Sequence, residues 1–449
     1  MKLYKTKVYI ISLGCPKNLI DSEVMAGLLS QAGMELVNSS ASADIVIINT
    51  CAFINPAKEE AIEAILQLAA EKKERKNRLH LIVAGCLAQR YGKELFAAIP
   101  EVDLFMGTGE VANVIRNIRR LTERKQQRAC IITKPDFLMT SRHARVLSCS
   151  AASTYLKISD GCSNRCTYCV IPTIRGKARS RPPADILREA ELLAKRGIKE
   201  IIITGQDTTA YGRDLPRRPR IGNLLNDLAM IGGIKWIRLL YAHPAHLTKE
   251  TMRAIAGSDK ICPYIDLPVQ HIDDTILKAM NRRTTAAEIK KTIALAREMI
   301  PDLALRTSLI VGFPGETQKR FDRLLDFIIE TRFDHLGVFL YSCEEGTKAA
   351  LLKSRIAEAE KEHRRDVIMN EQASISGRIN QGFIGGLEEV LIERKSERSD
   401  FPYTGRCRRQ APEIDGITYV QGKKIIPGEI VRCRIIAADD YDFFARKID

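Results

Sequence analysis

A single tryptophan and 6% aromatic residues leave this 449-residue chain poor in large rings. No stretch approaches the ~18 uninterrupted apolar residues of a membrane span. Repeats of solenoid period and low-complexity tracts are missing too, which excludes a stacked array. With 45% hydrophobic residues the chain is not a disordered one either. After the basic start only Val8 to Leu13 is continuously apolar. Gly14-Cys15-Pro16-Lys17 then reads as a strand end, not a signal-peptide cleavage site, so a cytoplasmic protein without a membrane segment is expected. In a reducing compartment 12 cysteines point to metal binding or catalysis and not to disulfides.

At ~150 residues per domain the length suggests two to four domains. Residues 1–122 alternate apolar runs with helical patterns. Strands are expected at 8–13, 44–49, 79–84 and 102–106, and helices at 21–32, 56–72, 94–99 and 111–121. That rhythm predicts an open parallel α/β domain. Residues 123–152 break it and read as a linker. Over 153–354 six strand–helix units follow, with strands at 155–159, 200–204, 236–241, 262–267, 304–311 and 335–341, a partial (β/α)6 barrel of about three quarters of the closed eightfold form. Residues 355–381 form a charged linking helix. The last segment, 382–449, has short strands between turn-rich stretches and reads as a small antiparallel β-barrel.

Cys162, Cys166 and Cys169 stand as C-x3-C-x2-C just after the first barrel strand. Three thiolates this close can hold three corners of a 4Fe–4S cluster, whose ligands are normally cysteines. Structural zinc needs four protein ligands, and no fourth Cys or His lies near in sequence. Another three are spread out: Cys15, Cys51 and Cys86 each end a predicted strand of the first domain. In an open parallel sheet ligands bind beyond the carboxyl ends of the strands, and neighbouring strands lie ~5 Å apart. Three such cysteines can therefore converge on a second cluster, again with one iron left open. The remaining Cys130, Cys149, Cys262, Cys343, Cys407 and Cys433 lack ligand spacing and read as structural or free thiols.

The C-x3-C-x2-C loop, with Tyr168 before its third cysteine, resembles the signature of the radical S-adenosylmethionine (SAM) superfamily. Together with the Cys15/Cys51/Cys86 set and the tail barrel, the whole chain resembles the radical SAM methylthiotransferases. The resemblance implies a radical SAM 4Fe–4S cluster on Cys162, Cys166 and Cys169, a second 4Fe–4S cluster on Cys15, Cys51 and Cys86, and a C-terminal TRAM domain. It also implies SAM as both radical source and methyl donor, an electron donor as partner, and insertion of sulfur and methyl at an unactivated C–H bond. No catalytic residue beyond the cluster ligands is assigned.

The family divides by target. SLGCPKNLIDSE (Ser12–Glu23), NTCAFINPAKEEAI (Asn49–Ile62), ISDGCSNRCTYCVIP (Ile158–Pro172) and QAPEIDG (Gln410–Gly416) resemble the branch that modifies the β-carbon of an aspartate in the small-subunit ribosomal protein S-twelve. The tRNA branch, which acts on a modified adenosine beside the anticodon, usually has GCQMN at the first cysteine. Charge offers a second criterion. The chain carries 70 Lys+Arg against 55 Asp+Glu, a net +15, yet residues 382–449 hold 12 of each sign. A tail that grips RNA should be basic, so a neutral tail favours the protein target, met free or in the assembling subunit. Arg175, Lys177, Arg179 and Arg181, and Arg213, Arg217, Arg218 and Arg220, form two basic loops that are open to ribosomal RNA contact or to plain solvation.

For SAM contacts the candidates are Gln206 and Asp207 after the second barrel strand and Arg306, with Ser308, on the strand leading to GFPGE. His243, Gln270 and His271 lie past other strand ends, where a structural role competes with a functional one; Trp236 reads as core. Two other functions remain open at this point: an iron–sulfur carrier or redox regulator without turnover, and a radical enzyme that methylates without inserting sulfur. A monomer is expected.

Overall fold

The computed structural model describes residues 5–75, 78–123, 128–148 and 152–448. Its first unit is one parallel sheet in the order β2-β1-β3-β4-β5-β6. The strands are β1 (Lys7–Ser12), β2 (Glu35–Leu36), β3 (Ile45–Thr50), β4 (His80–Gly85), β5 (Leu104–Met106) and β6 (Ala129–Ile131). β3 is buried along its whole length, because the sheet is covered on both faces. Ile45, Ile47 and Ile82 pack with Val24 and Met25 on one side. Val46, Ile48 and Val83 pack with Ala61 and Ile65 on the other. Helices α1 (Pro16–Gln31), α2 (Asn55–Glu74), α3 (Cys86–Ala98) and α4 (Val114–Glu123) supply the cover.

Two differences from the sequence expectation matter for the site. Helix α1 begins at Pro16 and not near Asp21, because proline's fixed φ suits the first helical turn. Helix α3 begins at Cys86 itself. Part of the stretch expected as a linker, Ala129–Ile131, is the edge strand β6, in register with Leu104–Met106. Strands of two or three residues such as β2 and β6 carry no readable alternation. Cys149 lies outside the described residues.

The second unit is an arc of six parallel strands: β7 (Ser153–Lys157), β10 (Glu200–Thr204), β11 (Trp236–Leu239), β12 (Tyr264–Asp266), β13 (Ala304–Val311) and β14 (His335–Leu340). They pair as β7-β10-β11 and β12-β13-β14, and a single bridge between Ile237 and Ile261 joins the halves. Between β7 and β10, the short antiparallel strands β8 (Ser159–Asp160) and β9 (Arg179–Ser180) clasp the base of the cysteine loop. Leu156, Ile201, Ile203, Ile237 and Leu239 face the outer helices. Tyr155, Ile202, Trp236 and Tyr264 face inward and meet Ile20 and Val24 of α1.

A 24-residue helix, Glu358–Gln381, bridges to the last unit. That unit is a closed barrel of β15 (Leu387–Lys395), β16 (Tyr403–Cys407), β17 (Thr418–Gln421), β18 (Ile430–Ala438) and β19 (Phe443–Lys447), ordered β15-β16-β17-β19-β18. Its pairings are antiparallel except β17 with β19, which run parallel. Among the described residues no helix is long and apolar enough to cross a membrane.

Candidate cluster and cofactor site

Strands β1, β3 and β4 are neighbours, and their register sets Ser12 opposite Asn49 and Asn49 opposite Ala84, so they end level. Cys15 follows β1 as the N-cap of α1, Cys51 follows β3, and Cys86 opens α3. Two glycines allow this crowding. Gly14 has φ +90°, and a Cβ there would stand 2.6 Å from Cys51 Cβ. Gly85 has φ +93°, and a Cβ there would stand 2.3 Å from Asn49 Oδ1. Asn18 ties the three strand ends together: its Nδ2 donates to the carbonyls of Leu13 at 2.9 Å and Thr50 at 3.0 Å, and its Oδ1 accepts from Cys86 Sγ at 3.9 Å.

Burial pushes the thiols of Cys51, to about 12, and of Cys86 upward. Burial would raise Cys15 too, but Lys17, Arg175 and the backbone N–H groups of Asn18 and Lys17 outweigh it and lower its pKa. A helix N-terminus stabilises a thiolate in the same way. Helix α5 (Ile171–Arg175), which follows the second cysteine set directly, delivers Arg175 here. Its guanidinium donates to Asn18 Oδ1 at 2.8 Å and Cys86 Sγ at 3.6 Å, and pairs with Asp21 and Asp160.

The second set stands at the mouth of the open barrel. Cys162 N–H donates to the carbonyl of Gly176 at 3.0 Å, and Thr167 N–H to that of Met280 at 3.0 Å, so both ends of the loop are pinned. Cys162, Cys166 and Cys169 are half-buried. Burial raises Cys162 to about 11 and Cys169 to about 12. Tyr168 leaves the loop and packs on Ile276, Met280, Phe313 and Tyr341. Among the described residues the one set of three metal-type ligand atoms within 4.8 Å of one another is that of Asp207, His243 and His246. Neither cysteine set closes that far.

Beside the loop, Asp207 accepts from Asn164 Nδ2 at 2.7 Å and meets His246 Nδ1 at 2.7 Å. Burial would raise its carboxyl; the hydrogen bonds from His246 and Asn164 help to outweigh that and it is held at about 2. Burial drives His243 down to about 3, so its ring is neutral. Gln206 Nε2 donates to Asp160 Oδ1 at 2.9 Å, while its Oε1 is buried without a partner. Arg282 lies buried beside Tyr168 and Cys166 and donates to the carbonyl of Pro268.

The structure thus gathers Cys162, Cys166, Cys169, Gln206, Asp207 and His243 at one mouth, and adds His246, Asn164 and Arg282. Arg306 is not among them. It sits near the start of β13 and is committed to Asp266 at 3.0 Å and Asp415 at 3.3 Å, with Ser308 at 3.1 Å. Its place is the seam with the tail barrel. His271 is fully buried against Glu316, and Trp236 is core. The first basic loop is no RNA surface either: Arg175 and Arg181 are buried in ion pairs, and only Lys177 is exposed. Arg213, Arg217, Arg218 and Arg220 are exposed as expected. No spacing rule announces Arg282 or His246; only Asn164, inside the cysteine loop, had a local signal.

An open parallel barrel whose first strand runs into a C-x3-C-x2-C loop at its mouth defines a radical SAM enzyme. Residues 156–328 match the Radical SAM superfamily, 7–107 match "Uncharacterized protein family UPF0004", and 384–448 match the TRAM domain. The chain is 57% identical to the ribosomal protein uS12 methylthiotransferase RimO of Syntrophus aciditrophicus, over 99% of both chains. It is 47% identical to the protein of that name from Geobacter sulfurreducens, again over 99% of both. The chain belongs to the radical SAM methylthiotransferases, in the ribosomal protein uS12 methylthiotransferase family. Membership makes it an enzyme of iron–sulfur and SAM chemistry. Among solved structures, the radical SAM methyltransferase TsrM from Kitasatospora setae superposes with a TM-score of 0.56 at 14% identity, over 75% of each chain. The cobalamin-dependent radical enzyme OxsB gives 0.54 at 13%, over 83% of this chain and 56% of that one. At such identities the likeness concerns the fold alone.

Proposed function

We propose that this enzyme inserts sulfur and a methyl group at the β-carbon of an aspartate in ribosomal protein uS12, using two clusters held by three cysteines each. The observation that carries the reading is the pairing of two separate three-cysteine sets on one buried polar layer, with Arg175 reaching from one to the other. A single set would serve radical formation alone. When bound, the cluster on Cys162, Cys166 and Cys169 would supply the electron that cleaves SAM, and the one on Cys15, Cys51 and Cys86 would supply sulfur.

The chain's own residues bind, orient and exclude water. Asp207, fixed by Asn164 and His246, stays ionised and is suited to an amino group, as is the unpartnered Oε1 of Gln206. Arg282 offers the mouth a buried cation suited to a carboxylate. Units 1–122, 153–354 and 382–449 divide the work: sulfur site, radical site, and a neutral tail better matched to a protein than to RNA. An electron donor, a cytoplasmic setting and a monomer complete the proposal, with ribosomal RNA contact confined to the exposed Arg213–Arg220 loop.

The test is mass spectrometry of the uS12 aspartate peptide and of tRNA nucleosides from cells with and without the gene. Loss of the methylthio mass from the aspartate alone is expected. Loss of methylthioadenosine instead would move the enzyme to the tRNA branch. Purified Cys51→Ala should still form 5′-deoxyadenosine while Cys162→Ala should not, which excludes a carrier without turnover.

A further inference from the structure

Among the described residues most buried cations are matched to acids. Arg145, Lys157, Arg175, Arg181, Arg238 and Arg406 each meet a carboxylate. Lys17 does not. Only 8% exposed, it meets no carboxylate within ion-pair distance among the described residues, and its Nζ rests over the Tyr241 ring, 3.3 Å from the centroid. A cation–π contact offsets part of the cost of burying an ammonium but supplies no carboxylate, and the anionic groups that act on Lys17 are the Cys15 sulfur and, beyond ion-pair distance, Asp266.

Its surroundings tie this cation to both cysteine sets. Lys17 is two residues past Cys15, in the first turn of α1. Tyr241 lies just past the end of β11, at the barrel mouth. It is held at φ +58° by its N–H bond to Asp266 Oδ2 at 3.0 Å and by its carbonyl, which accepts from Thr208 N–H at 3.0 Å. A bulky residue in that left-handed region is a strained placement, which the surrounding contacts must enforce. Thr208 adjoins Asp207, which is bonded to Asn164 of the cysteine loop. Tyr241 is itself half-buried, so the pair borders the accessible mouth.

We propose that Lys17 is the residue that binds the carboxylate of the substrate aspartate, placing the adjacent methylene between the two cysteine sets. This rests on the aspartate-modifying function proposed above. A carboxylate that enters the mouth must shed water, and a pre-positioned ammonium with no carboxylate in ion-pair distance compensates that loss. Of the buried arginines around the two cysteine sets, Arg175 and Arg181 are committed to acids, and Arg282 stands on the Cys166 side, beside Tyr168. The aromatic ring beneath Lys17 fixes the ammonium without neutralising it, so its attraction for an incoming anion is kept.

The experiment uses holoenzyme with both clusters reconstituted, checked by iron content. Fluorescence anisotropy measures binding of a peptide spanning the uS12 aspartate and of the same peptide with asparagine there. Wild type is expected to favour the aspartate peptide at least tenfold. Lys17→Met should bind both equally at the asparagine level, and Lys17→Arg should recover most of the preference. Retained preference in Lys17→Met overturns the proposal. So does loss of iron in Lys17→Met together with a fully loaded Lys17→Arg that does not discriminate, because Lys17 would then serve the cluster. If wild type methylthiolates the aspartate peptide yet binds both peptides equally, only the Lys17 assignment fails. If wild type leaves that peptide unmodified, the aspartate reading falls and takes this proposal with it.

Discussion

Arg175 Nη2 stands 3.6 Å from Cys86 Sγ, across 89 positions of sequence. Arg175 ends the short helix that directly follows the C-x3-C-x2-C loop, so the segment that carries one cysteine set also puts a positive charge on a sulfur of the other. Hydrogen bonds and charge at cluster sulfurs set reduction potential.

Arg175→Met should therefore lower the potential of the Cys15/Cys51/Cys86 cluster by on the order of 50 mV, close to the ~59 mV of a tenfold change in a one-electron equilibrium. Potentiometric titration followed by electron paramagnetic resonance reads this directly. The same change strips a partner from Asp21 and Asp160, which keep Lys157. Stability should fall by about 3 kcal/mol, the lower end for a broken buried pair. Arg175→Lys should return more of the stability than of the potential, since it lacks the fork that reaches Asn18, Asp21 and Cys86 together.

Gly14→Ala should disrupt the first cysteine set selectively. Its Cβ would overlap Cys51 Cβ at 2.6 Å, and φ +90° is strained for alanine. About half the iron of wild type is expected, in line with one of two clusters lost. 5′-Deoxyadenosine should still form while methylthiolation stops; a full iron complement would contradict the crowding argument.

Asp207→Asn should weaken SAM binding by about 10- to 100-fold, as expected when a charge-assisted hydrogen bond of ~1.5–3 kcal/mol is lost. Calorimetry with SAM on the reconstituted protein checks this. Because Asp207 titrates at about 2, its contribution should be constant from pH 5 to 8. A binding affinity that rises with a pKa near 4.5 would contradict it.

Glu200 joins the central barrel to the tail, holding Arg238 at 2.9 Å and Arg406 at 2.6 Å. Burial would raise its carboxyl, yet Arg406 and Arg238 hold it at about 2 against an ordinary 4.5. A folded value below the unfolded one stabilises the fold fully above pH 4.5 and loses this as pH falls towards 2. Glu200→Gln should cost about 3–5 kcal/mol near neutral pH by leaving buried guanidinium groups uncompensated. The gap between variant and wild type in urea unfolding should narrow below pH 4.

Much of the architecture could be read locally. The alternation of apolar runs and helical periods gave the parallel sheet, the open barrel and the tail barrel, because burial on both faces writes itself into consecutive residues. Strands β2 and β6 escaped, being too short for a pattern. The helix starts at Pro16 and Cys86 lie earlier than the periodicity suggests for a related reason: their first turns follow strand ends directly, without the usual polar cap.

By itself the sequence singled out six cysteines as candidates in two groups, since spacing within a loop and recurrence at strand ends are properties of the chain order. It also determined the family, through phrases spread over its whole length. Only the tertiary structure decided the partners of the charges. Arg306 left the SAM mouth for Asp266 and Asp415, Arg175 and Arg181 left the solvent for buried acids, and Arg282 came to Cys166. A charge is assigned by what surrounds it in space, and burial in a medium of low polarity makes each pairing decisive. Lys17, buried over the Tyr241 ring with no carboxylate in ion-pair distance among the described residues, could be found in no other way.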